Sequence, residues 1–517
     1  MRKGDFMRHS TQIFDLGEKL NLDQFVKIVR FGAKVQFSPE YEQRVINSRC
    51  LIETAISENR IMYGVSTGFG VLSETVISSS EMEKLQENIV LSHAVSVGQP
   101  FSVEQARGTL LMVLQNLGQG KSGVRLELLE TIRQMLNSGV TPYMPKEGSV
   151  GYLAPEAHAA LVLLGKGQAY YREQLLPGAK AMEQAGIATL TLTAKEGLAL
   201  ISGTTSTTAL GALALYDMEQ AAKTADIIGA MSLEALRGVL AAFDERVMKA
   251  RPHLHQGQTA DNVRKILEGS GILSHFAGER LQDALSIRCI PQLHGAAKQT
   301  LAMAKQTIEI EMNSCCDNPM VFEEDGQPKI ISACNCDSSY VGLAMDTAGI
   351  AATMLAKMSE RRNNRFLDEN LSGYPALLVK NPGLNSGLML PQYTQAGLLG
   401  DMRILATPSV IDNTPTCCNQ EDYVAAGYNS AKKAGKIAEK LQYILAIELL
   451  SAYQAQKFIA ADLKRSDATQ ALIDEISNFV PQMEEDGLLH GYIEMLKDSI
   501  ATGRIIEVVE KAIGLLH

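Results

Sequence analysis

The sequence predicts an all-α protein, with a loop-rich N-terminal region followed by a long central helix bundle. Three observations predict it. No proline stands between Pro177 and Pro252, between Pro252 and Pro291, or between Pro415 and Pro481. Within these windows apolar residues keep helical spacing: in "ALYDMEQAAKTADIIGAMSLEALRGVLAAF", Leu215, Met218, Ala222, Ile227 and Met231 recur every three to five residues. Several segments, such as "KLQYILAIELLSAY", are apolar on more than one side, which suits helices buried between neighbours. The expected division is residues 1–115, carrying the first active loops, and residues 116–517, carrying the bundle.

Composition narrows the function. Apolar residues make up 46% and charged residues 21%, an ordinary globular balance. The net charge of −10, with no basic run, argues against a nucleic-acid binder. The opening "MRKGDFMRHSTQIFDLG" has no apolar leader core, and no later window reaches about 18 uninterrupted apolar residues, so the expectation is a cytoplasmic protein without a membrane partner. Twenty-one methionines and no tryptophan fit helix packing. The eight cysteines, among them Cys315–Cys316, Cys334, Cys336 and Cys417–Cys418, lack zinc-site spacing; reduced thiols and no metal are expected.

Glycine-rich stretches punctuate the helices and mark the loops where function concentrates. "YGVSTGFG" (residues 63–70) lacks the lysine of a phosphate-binding loop. "LSHAVSVG" carries His93, "SIRCIPQ" carries Arg288, which suits a carboxylate held bidentately, and "NQEDY" carries Glu421. Each is weak alone, because a lone histidine, a paired arginine or an acidic helix start is commonly structural.

Taken in order, "YGVSTGFG", "NIVLSHAVSVGQP", "GSVG" then "LAPEAH", "LQDALSIRCIPQ", "EMNSCCDNPMVF", "ERRNNRFLDENLSG", "NPGLNSGLM" and "PTCCNQEDY" resemble the histidine and aromatic amino acid ammonia-lyases over nearly the whole chain. "LSHA" is the pattern of the histidine branch. The resemblance implies an ammonia-lyase-like helical fold and a homotetramer whose sites draw loops from three subunits. It also implies roles: Tyr63 as the base that removes the β-proton, His93 as a ring-binding residue and Arg288 as the carboxylate clamp. Glu421 and Gln282 would lie near the substrate ring and backbone, and Asn335 matches a family asparagine.

The chain also departs from the family. The family's electrophile, a methylidene-imidazolone, arises by cyclising an Ala-Ser-Gly tripeptide, whereas here Gly151 is followed directly by Tyr152. Tyr152 stands in place of an aspartate, Ser202 of an asparagine, Leu285 of a tyrosine and Cys336 of a phenylalanine. With no electrophile cofactor, the resemblance points to an amine that needs no activation. The expectation is therefore a betaine amino acid substrate, with trimethylamine eliminated from ergothioneine to give thiourocanate; Leu285 would make room for the methyl groups and Tyr152 would face the cation. Two other readings stay open: a histidine ammonia-lyase whose tripeptide is missing from the written chain, and a non-catalytic homologue.

Overall fold

The computed structural model describes residues 12–517. Residues 1–11, which hold most of the opening stretch read for a leader, lie outside the described residues. Helices dominate, as expected from the proline-free windows, and the few strands are short. The chain forms two compact units. Unit 1 comprises the chain up to Leu213 with Lys305–Asp346 and Pro408–Lys432; unit 2 comprises Ala214–Ala304, Thr347–Thr407 and Lys433–His517. The boundary expected after residue 115 falls inside unit 1.

Unit 1 is built to present loops. The helix Pro39–Ser57 starts at Ser38, whose hydroxyl accepts the Tyr41 N–H, with proline in the first turn where no amide donor is needed. Its Ile52 and Ala55 form a buried cluster with Met62, Val65, Met82, Ala194 and Val321, so the residues flanking Tyr63 are anchored in core. The helix Met82–His93 leads into the strand Val97–Pro100, which pairs antiparallel with Pro145–Glu147. That pairing sets the end of the His93 helix and the start of the Gly148–Gly151 loop. A hairpin, Met320–Glu324 with Gln327–Ile331, turns on Asp325 and Gly326, both at positive φ.

Two ion pairs, one fully buried and one half-buried, organise unit 1. Lys195 Nζ donates to Asp317 Oδ2 at 2.6 Å, with both side chains fully buried. The Arg125 guanidinium grips the buried Glu196 carboxylate through Nε (2.9 Å) and one terminal nitrogen (2.8 Å).

In unit 2 one set of buried polar groups forms a continuous chain. Arg362, wholly buried, is bidentate to Glu448 at 2.5 and 2.8 Å, and Ser232 donates to the same carboxylate at 2.7 Å. Arg362 also approaches His294 Nε2 (3.4 Å), while His294 Nδ1 meets Asp226 at 2.8 Å. Burial holds His294 below the usual imidazole range, so the ring is a neutral link that donates to Asp226 and accepts from Arg362. Lys298 and Asn262 complete the shell of Asp226.

One helical stretch, Glu196–Ala235, is long and apolar enough to cross a membrane by length and composition, and its most apolar window is entirely buried inside the protein.

Removing one member of a buried pair strands the other charge. Arg362→Met is expected to cost about 3–5 kcal/mol of stability, and adding Glu448→Met to recover most of it. Urea or thermal unfolding of both variants checks this. If the double variant unfolds no later than the single one, the stranded charge is not the cause.

Candidate functional site

Tyr63 opens a tight loop closed by its own polar groups. Ser66 Oγ accepts the Met62 N–H (2.9 Å), Thr67 Oγ1 accepts the Gly64 N–H (3.2 Å), and Thr67 bridges to Val76. The Tyr63 hydroxyl oxygen accepts the Gly70 N–H at 3.0 Å. Burial pushes the phenol above its usual range; the Gly70 amide opposes this, and the charge of Glu421 adds to it. A phenolate in this setting would be favoured by any cation brought beside it.

The stretch Glu147–His158 closes sharply. Ala154 N–H donates to the Tyr152 carbonyl (3.1 Å) across Leu153, which sits at φ 77°, ψ −70°. This is a γ-turn conformation that ordinary residues avoid, at a cost of about 1–3 kcal/mol. Gly151 has φ +150°, and a Cβ there would come 2.5 Å from Ser338 Oγ, so the position requires glycine. The Gly151 carbonyl accepts from Thr207 Oγ1 (2.9 Å), and Ser149 Oγ donates to the Tyr152 carbonyl (3.2 Å).

The Tyr152 side chain reaches Glu421: its hydroxyl donates to Oε2 at 3.3 Å. Burial raises the Tyr152 phenol well above its usual range, and the Glu421 charge reinforces it. Glu421 Oε2 also accepts from Thr416 Oγ1 (3.0 Å), and the backbones of Thr416 and Glu421 bridge. Between them Cys417, Cys418 and Asn419 all have left-handed φ, 50°, 54° and 67°, an unusual run for residues with side chains.

His93 ends its helix half-buried, with Nδ1 3.0 Å from Ser92 Oγ; burial lowers its pKa and the Glu421 charge opposes that. Burial pushes the Cys336 thiol up to about 12, with Cys334 adding to it. Each of the eight cysteines is a free thiol.

Tyr63, His93 and Tyr152 thus all sense the charge of Glu421, and the structure brings these four together within unit 1. Ser202 and Asn335 also belong to unit 1. Ser202 is buried and accepts the Asn318 N–H at 3.1 Å, while Asn335 is exposed and donates to the Cys315 carbonyl at 3.3 Å. Gln282, Leu285 and Arg288 belong to unit 2. Gln282 and Leu285 are exposed; Arg288 is half-buried, with an enclosed Nε that has no partner among the described residues.

Sequence reasoning missed Thr416 and Glu156. Thr416 lay inside a quoted motif, five residues before the carboxylate it holds. Glu156 is 1% exposed, in the otherwise apolar "LAPEAHAALVLL". Its Oε1 accepts the Ser206 N–H (2.8 Å) and the Thr205 hydroxyl (3.0 Å), which caps the helix Thr205–Ala235, while Oε2 has no partner among the described residues. No local signal pointed to it, since the threonine and serine it meets lie 49 and 50 residues further on.

A model of the aromatic amino acid lyases matches residues 20–478. The chain belongs to the aromatic amino acid lyase family. A histidine ammonia-lyase of Alkaliphilus oremlandii is 41% identical over 96% of this chain and 98% of its own. The solved histidine ammonia-lyase of Trypanosoma cruzi superposes with a TM-score of 0.90 at 33% identity, covering 97% of this chain and 96% of that one. Ergothionase of Treponema denticola superposes equally well, with a TM-score of 0.90 over 96% of this chain and 100% of that one, but at 24% identity.

These findings correct the expected substrate. Sequence likeness at 40–41% identity over nearly the whole chain lies with histidine ammonia-lyases, whereas the likeness to ergothionase is one of fold. The expectation of trimethylamine release from ergothioneine is overturned, and with it the reading of Leu285 as room for methyl groups and of Tyr152 as a partner for a betaine cation.

Burial raises the Glu156 carboxyl above its ordinary range, although its hydrogen bonds pull the other way. A raised carboxyl favours the protonated folded state, so its contribution is complete below the ordinary carboxylate range and is lost as pH rises through the folded value. Glu156→Gln keeps the accepting oxygen and cannot ionise. The variant is expected to match the wild type near about pH 4 and to melt higher near about pH 8. Glu156→Ala should lose about 1–2 kcal/mol of capping. Melting curves across that range decide it; a wild type that gains on the glutamine variant as pH rises would show that the carboxyl is not raised.

Proposed function

We propose that this carbon–nitrogen lyase acts on histidine, giving urocanate and ammonia. The observation that carries the reading is the identity of 40–41% over 96–97% of the chain with histidine ammonia-lyases. The presence of His93 beside Tyr63 and Glu421 supports it.

In this reading His93 and Glu421 hold the imidazole ring, and Tyr152 holds Glu421. Arg288 keeps the role of carboxylate clamp that the family resemblance implies, and its enclosed Nε has no partner among the described residues. Asn335 and Ser202, in the same unit, would line the remainder. The phenolate of Tyr63 takes the β-proton, and the ring accepts the charge left on the β-carbon. The carbon–nitrogen pair departs with the amino group, which leaves from its ammonium form as ammonia while the double bond closes. Binding that ammonium near Tyr63 also favours the phenolate by simple attraction.

The residues present do not fit the family's methylidene-imidazolone. One peptide bond joins Gly151 to Tyr152, with no Ala-Ser-Gly between them, and Ser338 lies where a side chain on residue 151 would project. The proposed reaction therefore relies on the ammonium form of the substrate.

We infer a homotetramer in the cytoplasm. Tyr340 (76% exposed), Leu343 (57%), Ile350 (41%) and Met354 (36%) make an apolar stripe along the helix Ser339–Leu367, and a second copy would cover it.

The test is purified protein with histidine, following ammonia and the conjugated acrylate together. Release of both is expected; folded protein that yields neither would end the reading. Tyr63→Phe should lower turnover by about 10²–10⁴-fold with little change in binding. Because burial raises the Tyr63 phenol, the rate should climb as pH rises toward its deprotonation, and in the phenylalanine variant that limb should vanish. The intact mass should be 56.1 kDa, and borohydride, which destroys an electrophile, should leave activity unchanged. A heavier protein that borohydride inactivates would show that the tripeptide is present.

A further inference from the structure

The three left-handed residues after Thr416 do more than reverse the chain. Cys417, half-buried, turns its sulfur toward the Tyr63 loop and accepts the Val71 N–H at 3.4 Å. A Cβ on Gly70 (φ +54°) would lie 2.5 Å from that sulfur, so the thiol packs against the bare Cα of Gly70. The same Gly70 donates its N–H to the Tyr63 hydroxyl. On the other side of Cys417, Thr416 holds the Glu421 carboxylate.

We propose that Cys417 is a positioning residue for the elimination: its thiol ties the loop that carries Tyr63 to the turn that carries Glu421. The inference rests on the lyase reading for its kinetic consequence, while its structural content stands apart from it. The thiol acts in two ways: its sulfur, though a weak acceptor, fixes the direction of the Val71 amide, and its bulk fills the space beneath Gly70. A loop freed at that point still binds substrate, which other residues hold, but it no longer keeps the Tyr63 oxygen fixed against the β-carbon. Turnover therefore falls more than affinity.

The test uses the full-length protein and three variants: Cys417→Ala, Cys417→Ser, and Cys50→Ala as a control on an exposed thiol in the helix Pro39–Ser57. Hydrogen exchange of peptides covering residues 63–72 is measured beside kcat and KM. In Cys417→Ala, exchange at residues 70 and 71 is expected to quicken by about fivefold or more. With histidine, kcat should fall by about 10- to 100-fold while KM stays within about twofold. Cys417→Ser, with a hydroxyl acceptor in place, should recover part of both, and Cys50→Ala should change neither.

Unchanged exchange in Cys417→Ala would overturn the proposal, whatever the turnover. An equal loss in the serine and alanine variants would also overturn it, since the retained acceptor would then count for nothing. Faster exchange in a protein whose wild type releases no ammonia would uphold the tie and reject the histidine reading alone.

Discussion

The site depends first on a buried carboxylate at a helix N-terminus. The helix Thr205–Ala235 begins with amide groups that need acceptors, and Glu156 supplies one oxygen to the Ser206 N–H and the Thr205 hydroxyl. The next residue, Thr207, holds the Gly151 carbonyl. The loop that ends in Tyr152 is therefore fastened at the point where the helix needs satisfying. The helix end favours an anion and burial disfavours it; the raised carboxyl shows that burial wins. A neutral acid still accepts through its carbonyl oxygen, so the cap survives when the charge does not.

Much of this was legible in the sequence. The helical class followed from the proline-free windows, because proline removes an amide donor and collides with the preceding turn. Tyr63, His93 and Glu421 were each weak alone and stood out only through the ordered family motifs that carry them. What did not show was which distant residues meet. Thr205 lies 49 residues from Glu156, and Val71 lies 346 residues from Cys417. No local pattern encodes such pairs, and the strain at Leu153 and at Cys417–Asn419 appears only once the backbone has closed. The clamp role of Arg288 came from the family resemblance and not from its setting, and its enclosed Nε has no partner among the described residues.

The substrate was misread for a specific reason. One missing tripeptide was allowed to choose the leaving group, although the rest of the chain carried an independent signal. An electrophile helps an amine that still has its lone pair; an ammonium has already given that pair to a proton. Loss of the electrophile therefore does not require four carbons on nitrogen. In the proposed reaction the site must bind the protonated amine and supply a strong enough base, which shifts the burden onto Tyr63 and its surroundings.

The two strained segments make sense on that footing. Leu153 and the Cys417–Asn419 run lie next to the two residues that meet across the site, Tyr152 and Glu421, joined by a 3.3 Å hydrogen bond. Strained backbone persists only where surrounding contacts over-determine it. Here those contacts are the Thr207, Ser149 and Ile201 bonds on one side and the Thr416 and Val71 bonds on the other. Each unfavourable φ fixes the direction of a side chain that an unstrained loop would leave free. Tyr152, placed where the shortened loop ends, then gives Glu421 a fixed neutral donor, and Glu421 sets the charge felt by both His93 and Tyr63. In the proposed reaction, a base raised by burial and by a nearby carboxylate is seldom deprotonated until a cation arrives. The cation the proposed substrate brings is the ammonium that must leave, so the group to be expelled is also the group that readies the base.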